Sequence, residues 1–267
     1  MKLAFFSDVH GNSIALEAVL ADSARHGVDG MVVVGDHAAI GPEPAATIER
    51  LQSLDNAVFT RGNTDRYTTS HDLPFPTSEE AKKEPELIDL CLEVKASFSW
   101  TRGFVTAQGH FDWLANLPLE HRITLPDGTR LLAVHASPGT DDGPGARPDM
   151  SQASLQERFH TAEADIVIVG HTHHAMDRHV GDLRIVNLGS VSNPFGPDLR
   201  ASYVILQANK QDYQLEHHVV DYDHQAVIAA IHASQHPSGH YIISFQRGEQ
   251  AAVQPHHEHL VFDSLRH

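Results

Sequence analysis

Leu3-Ala4-Phe5-Phe6-Ser7-Asp8-Val9-His10-Gly11-Asn12 runs four apolar residues into a carboxylate and an imidazole two positions apart, with a glycine turn behind them. The same grammar returns four more times. Met31–Val34 ends in Gly35-Asp36, Ala57–Thr60 in Gly62-Asn63, Leu131–Val134 in His135, and Ile166–Val169 in Gly170-His171-Thr172-His173. Short apolar runs bounded by glycine predict strands, the first of them over Leu3–Ser7. Polar residues just past the carboxyl ends of several strands project into one crevice, where α/β proteins place their ligands. Oxygen and nitrogen donors with no thiolate among them suit two divalent metal ions side by side.

Each motif alone has a plainer explanation. Asp8 is also a helix-capping residue with a bystander histidine, Gly35-Asp36 an acidic turn, Asn63 a turn residue, and His135 a satisfied buried histidine. Gly170-His171-Thr172-His173 is stronger, because two histidines at i and i+2 behind a β-branched strand rarely lack a ligand role. Taken together, the plain explanations must all hold at once, each at the end of its own strand.

Around these motifs the first half alternates strand and helix. Helices are expected at about 13–25, with Asn12 as N-cap, and at 44–54, so the chain opens as βαβαβ with parallel strands and right-handed crossovers. From Arg66 to His121 the texture turns polar and proline-punctuated, then helical over Glu84–Ser99 and Thr106–Leu117, a helical insertion over or beside the crevice. Arg122–Leu125 and Arg130–Val134 read as a hairpin about Asp127-Gly128. A loop at 141–145, a helix at 151–163, strands at 183–187, 201–207 and 213–222 and a helix at 225–234 follow. Beyond His236 the sequence offers no clear element.

Composition narrows the function. With 267 residues, 41% of them hydrophobic, the chain can bury a sizeable core. Nineteen basic against 35 acidic residues give a formal charge of −16, which argues against a nucleic-acid polymer as partner and for a small phosphorylated substrate. No apolar run approaches a membrane span. The single cysteine, Cys91, and the direct passage from Met1-Lys2 into a strand lead to the expectation of a cytoplasmic protein without a secretory leader. Cys91 sits in an apolar helical stretch and reads as a buried filler. His256, His257 and His259 read as a solvated tail.

In order and spacing the motifs resemble those of the calcineurin-like metallophosphoesterases: D-x-H (Asp8, His10), G-D (Asp36), G-N (Asn63), a lone His (His135) and G-H-x-H (His171, His173). The likeness extends over residues 3–206, including Ile40-Gly41-Pro42 and Asn187-Leu188-Gly189-Ser190. The G-D-x-x-x-x-G-P signature at Gly35–Pro42 is most similar to small bacterial phosphoesterases related to diadenosine tetraphosphatases. This resemblance implies an α/β fold in four α-β-β-α layers, two mixed β-sheets flanked by helices. It places the phosphoesterase domain at 1–235, with the helical insertion at about 66–121, and leaves 236–267 as a C-terminal extension.

By the same resemblance Asp8, His10, Asp36 and His173 hold one metal, and Asp36, Asn63, His135 and His171 the second, Asp36 bridging. Manganese is the expected ion; iron, zinc, nickel and cobalt suit the same donors. A metal-bridging hydroxide would attack phosphorus in line, making the chain a phosphodiesterase. A phosphomonoesterase on the same site, or a non-catalytic phosphate-binding or scaffold protein like one retromer subunit of this fold, is the alternative. One departure stands out. Many family members carry a histidine after G-N, whereas this chain has Thr64, which cannot act as a general acid near neutral pH. Three readings follow: His37, His110 or His174 replaces it, with His37 the first choice; the leaving group needs little protonation; or the site binds metal with feeble turnover, the first two being favoured. Arg61 is the candidate phosphate grip, with Arg66 a second; for each, an internal salt bridge is the competing reading. Asn187 and Ser190 either orient the ligating histidines or serve as turn residues. The oligomeric state is left open.

Overall fold

A computed structural model describes residues 1–249 of the chain. The chain order is β1 (Lys2–Phe6), α1 (Ser13–Arg25), β2 (Gly30–Val34), α2 (Pro44–Gln52) and β3 (Ala57–Thr60). Four helices then intervene: α3 (Asn63–Thr69), α4 (Ser78–Lys83), α5 (Ile88–Ala107) and α6 (Phe111–Ala115). The second half runs β4 (Glu120–Thr124), β5 (Arg130–Val134), α7 (Gln152–Phe159), β6 (Ile166–Val169), β7 (Met176–Val180) and β8 (Leu183–Asn187). It finishes with β9 (Ala201–Ala208), β10 (Tyr213–Val220), α8 (His224–Ser234) and α9 (Gly239–Arg247).

The strands form two mixed five-stranded sheets, ordered β10-β9-β1-β2-β3 and β4-β5-β6-β8-β7. As the βαβαβ opening predicts, β1–β2 and β2–β3 are parallel. Alternation along each strand then divides the core. Phe5, Val32, Val34, Leu131, Ile166 and Ile168 point between the sheets. Phe6 and Val33 point outward to Leu16, Val19 and Leu20 of α1. Leu132, Val134, Val167 and Val169 point outward to Leu155 and Phe159 of α7. Strands buried on both faces must be apolar throughout, which is why these elements stand out as unbroken runs in the sequence. The result is the expected α-β-β-α sandwich.

Differences lie at the periphery. Two helices were expected over Glu84–Ser99 and Thr106–Leu117, but α5 is continuous through Gly103, and the break falls at Gly109 (φ +78°). β7 forms a hairpin with β8 through the two-residue loop Gly181-Asp182, a Gly-Asp turn signal that the sequence carries. α9, whose Tyr241-Ile242-Ile243 run has strand-like propensity, is helical because Ile242 and Ile243 pack on Val227, Ile228 and Ile231 of α8. Cys91 is buried against Ala81 and Leu87, as expected. Among the described residues no helix is long and apolar enough to cross a membrane. His256, His257 and His259 lie outside the described residues.

Candidate metal centre

All seven candidate ligands meet where the carboxyl ends of the two sheets come together. Asp8 and His10 follow β1, Asp36 follows β2 and Asn63 follows β3; His135 follows β5, and His171 and His173 follow β6. Five of the eight described non-glycine residues with positive φ are among them: Asp8 (58°), His10 (49°), Asp36 (58°), His171 (68°) and His173 (58°). That left-handed turn costs an L-residue free energy and persists where surrounding contacts enforce it, commonly at functional sites. The glycines of the motifs serve the same crowding. A Cβ on Gly62 would collide with Asp36, and one on Gly170 would lie 2.5 Å from Asp8 Oδ2.

The four histidines share one arrangement. Each donates one ring N–H to a backbone carbonyl: His135 Nδ1 to Val34 (2.8 Å), His173 Nδ1 to Asn193 (2.6 Å), His171 Nε2 to Gly143 (2.6 Å), and His10 Nδ1 to Ala39. The opposite nitrogens converge. His173 Nε2 lies 3.2 Å and His10 Nε2 3.8 Å from Asp8 Oδ1. Asp36 Oδ2 lies 3.4 Å from His135 Nε2 and 3.7 Å from His10 Nε2. Asn63 Oδ1 lies 3.0 Å from His135 Nε2 and 3.1 Å from His171 Nδ1. Asp36 thus stands between the histidines of the two expected sites, as a bridging carboxylate must. Asp8 also reaches both sides, with His135 Nε2 at 4.0 Å. Two donor triads close enough to hold an ion, Asp8/His10/His173 and Asp8/Asp36/His135, overlap at Asp8.

The donor set fits divalent cations. His10 Nε2 and His173 Nε2 face each other at 3.1 Å while their other nitrogens are engaged by carbonyls. Two lone pairs at that separation repel unless a proton or a metal cation lies between them. Backbone acceptors on the far ring nitrogens are also what ligating histidines need for a fixed tautomer.

Burial disfavours every charge here. It would raise Asp36, but His135, with His10 and His171, holds the carboxyl well below the usual range. Burial would likewise raise Asp8, which His173 and His135 lower. Burial lowers His10 and His171 below the ordinary imidazole value. Against burial, Asp36 raises His135 to about 10 and Asp8 raises His173. The centre therefore combines two ionised carboxylates with His10 and His171 held neutral, while His135 and His173 favour a positive charge beside Asp36 and Asp8 that a bound cation would replace.

Other candidates fall elsewhere. His37 does not reach the crevice: it is fully buried, its Nδ1 2.8 Å from Asp65 Oδ2, its ring edge-on to Trp113 at 5.6 Å. Its expected role as stand-in acid is corrected on that ground, since a ring enclosed in the core cannot touch substrate. Arg61 Nε binds Asp141 at 2.7 Å and Arg66 binds Asp141, Asp142 and Asp72, so both take the salt-bridge reading. His110 caps α6, and His174 donates to Thr172 and stacks on Phe195. Asn187 holds the carbonyls of Gly170 and Ala146, and Ser190 that of Asp8, so both fix the loops rather than the ligand rings.

Two contributors escape the sequence reading. Asp65 receives the backbone N–H groups of Asp36, His37 and Gly62, all within 2.9 Å, and so pins the β2 and β3 ends together. Its signal is an acidic residue three positions after Gly62 at the start of α3. His240 of α9 lines the crevice beside the centre, Nε2 3.5 Å from Glu93.

Known proteins resemble this chain in sequence and in fold. The phosphodiesterase YfcE of Escherichia coli K12 is 27% identical over 215 residues, covering 77% of this chain and 87% of that protein. A metallophosphoesterase from Sphaerobacter thermophilus superposes with a TM-score of 0.71 at 24% identity, over 93% of this chain and 99% of that one. The hypothetical protein PH1004 from Pyrococcus horikoshii OT3 reaches 0.76 at 19% identity, over 92% and 97%, and shares the fold. Residues 1–211 match the calcineurin-like phosphoesterase superfamily domain, and the chain belongs to that superfamily.

Proposed function

We propose that the chain is a two-metal phosphodiesterase acting on a small phosphoester. The observation that carries this is the common arrangement of the four histidines, each anchored to a carbonyl on one nitrogen while the other meets Asp8, Asp36 or Asn63. Asp8, His10, Asp36 and His173 would hold one ion, and Asp36, Asn63, His135 and His171 the other, manganese being the first choice. Two such ions supply Lewis acidity, a water acidified for in-line attack, and neutralisation of phosphoryl charge. The kinship with a protein named a phosphodiesterase favours a diester.

The chain's own residues prepare that chemistry. Asp36 is oriented by the Thr64 N–H at 2.9 Å on Oδ1, which leaves Oδ2 toward His10 and His135. Asn63 adds an oxygen without charge. Thr64 itself brings no acid, its hydroxyl 3.4 Å from the Ala39 carbonyl. A leaving group that departs without full protonation, such as a phenolate, matches such a site.

The test is hydrolysis of bis-p-nitrophenyl phosphate and p-nitrophenyl phosphate by metal-stripped protein before and after manganese addition, with bound metal counted by mass spectrometry. Two ions per chain and turnover of the diester, abolished in Asp36→Ala and His171→Ala, are expected. Two bound ions with no turnover of either ester would overturn the esterase assignment and leave a binding role.

A further inference from the structure

The crevice that opens from the metal centre holds about 1050 Å³, the size of a site for a drug-like molecule and far more than one phosphoryl group requires. Its walls are unusual for a phosphate-ester enzyme. One side is built by the helical insertion, with Phe75, Leu87, Leu90 and Val94. The other is an aromatic cluster next to the centre: Phe195 lies 5.7 Å from His173 and 5.4 Å from Phe245, and Tyr241 5.2 Å from Phe245.

Acidic side chains predominate on these walls. Glu84, Glu86, Glu93 and Asp142 line the crevice, and among the described lining residues there is no lysine or arginine. Arg66 lines an adjoining cavity and is committed to Asp141, Asp142 and Asp72 at 2.8 to 2.9 Å. The chain as a whole carries −16, so no distant field offsets this. A second phosphate or carboxylate on the substrate would enter a largely acidic, partly apolar crevice. There the His240 imidazole, already 3.5 Å from Glu93, is the one basic side chain outside the metal centre among the described lining residues. Burial penalises an anion so poorly matched. Flat apolar groups find edge and face contacts instead.

Building on the function proposed above, we infer that the substrate carries one phosphoryl anion, held at the metal centre, joined to a bulky aromatic or aliphatic group without further negative charge. Dinucleoside polyphosphates and nucleoside triphosphates are thereby poor substrates. Glu86 and Glu93 act as specificity-determining residues that repel a second anion, and Phe75, Phe195 and Tyr241 seat the organic group.

Two matched ligands test this by calorimetric binding to manganese-loaded full-length protein: phenylphosphonate, and 4-phosphonobenzoate, which adds only a carboxylate. Phenylphosphonate is expected to bind at least about tenfold more tightly, and the double variant Glu86→Lys/Glu93→Lys to shrink that ratio below about threefold. In turnover, bis-p-nitrophenyl phosphate should exceed diadenosine tetraphosphate at least about a hundredfold in kcat/KM. Equal affinities, preference for 4-phosphonobenzoate, binding of neither, or a ratio untouched by charge reversal would overturn the inference. If the two ligands rank as expected while no ester is hydrolysed, the selectivity stands and the catalytic assignment falls.

Discussion

Gly62→Ala places a methyl group where the centre has no room for one. Gly62 has ordinary extended dihedrals (φ −99°, ψ 172°). Alanine suffers no backbone strain there, and by restricting the unfolded chain it would normally stabilise by about 0.4–1 kcal/mol. Sterics reverse the sign. An ideal Cβ overlaps the Asp36 backbone nitrogen and Oδ1 and sits 2.9 Å from its Cγ. Asp36 cannot swing aside, because Asp65 holds its N–H at 2.9 Å and Thr64 N–H holds its Oδ1 at 2.9 Å. Relief requires the β2 and β3 ends to part by roughly 1 Å, an overpacking strain that also stretches the bond from Gly62 N–H to Asp65. Hydrogen bonds to charged groups are worth about 1.5–3 kcal/mol each, so weakening three of them gives a net loss of about 3 kcal/mol. The same displacement moves Asp36 between its histidines and should lower manganese affinity about tenfold to a hundredfold. Urea unfolding of the metal-free protein measures the first effect and calorimetric titration with manganese the second. A Gly62→Ala protein as stable as wild type, with manganese affinity within about threefold, would refute the argument.

Two further outcomes follow from groups away from the ligands. Burial depresses the His236 imidazole to about 4, with Ser238 N–H donating to its Nδ1 at 3.1 Å and Trp100 edge-on at 4.6 Å. The unfolded chain takes up that proton near pH 6.5 and the folded one near pH 4. Its contribution is therefore complete above pH 6.5 and is lost as the pH falls from 6.5 to 4, by about 1–3 kcal/mol. His236→Gln should flatten that part of the urea-midpoint profile; an unchanged slope would refute the assignment. Arg66→Ala leaves Asp141 with Arg61 as its remaining guanidinium partner and frees the loop whose Gly143 carbonyl anchors His171. The expected cost is about 1–3 kcal/mol in thermal unfolding together with roughly tenfold weaker manganese binding, whereas unaltered metal affinity would detach that loop from the site.

The legible part of this molecule is the part buried on both faces. Strands such as Met31–Val34 and Ile166–Val169 are apolar because each face meets a different layer, and their polar ends stand out against that background. Which of two sheets each strand joins is not encoded locally: a parallel strand has the same composition in either, and the two-sheet division came through family resemblance. α9 was hidden because its β-branched and aromatic residues are helical only through packing on α8. His37 looked chemical beside Asp36, yet its position one residue past the motif turns it into the core. The crevice walls had no signature, since carboxylates on and just before α5 and aromatics around Phe195 acquire meaning only when the fold sets them opposite one another.

The order β10-β9-β1-β2-β3 has a consequence for synthesis. β1, the first strand made, lies at the centre of its sheet, and its antiparallel neighbour β9 begins 195 residues after β1 ends, at Ala201 against Phe6. At about 5–20 residues per second, that is roughly 10–40 s during which one edge of a largely apolar strand stays open on the ribosome. An unpaired edge of this kind is a template for pairing with other chains. The Asp8 carbonyl at the tip of β1 receives Ser190 Oγ and Ser192 N–H, from the segment that leads into β9. The earliest-made ligand of the centre is thus completed by a segment made 182 residues later, and a chain cut short before Ala201 would keep the open edge of β1 and be a sticky fragment.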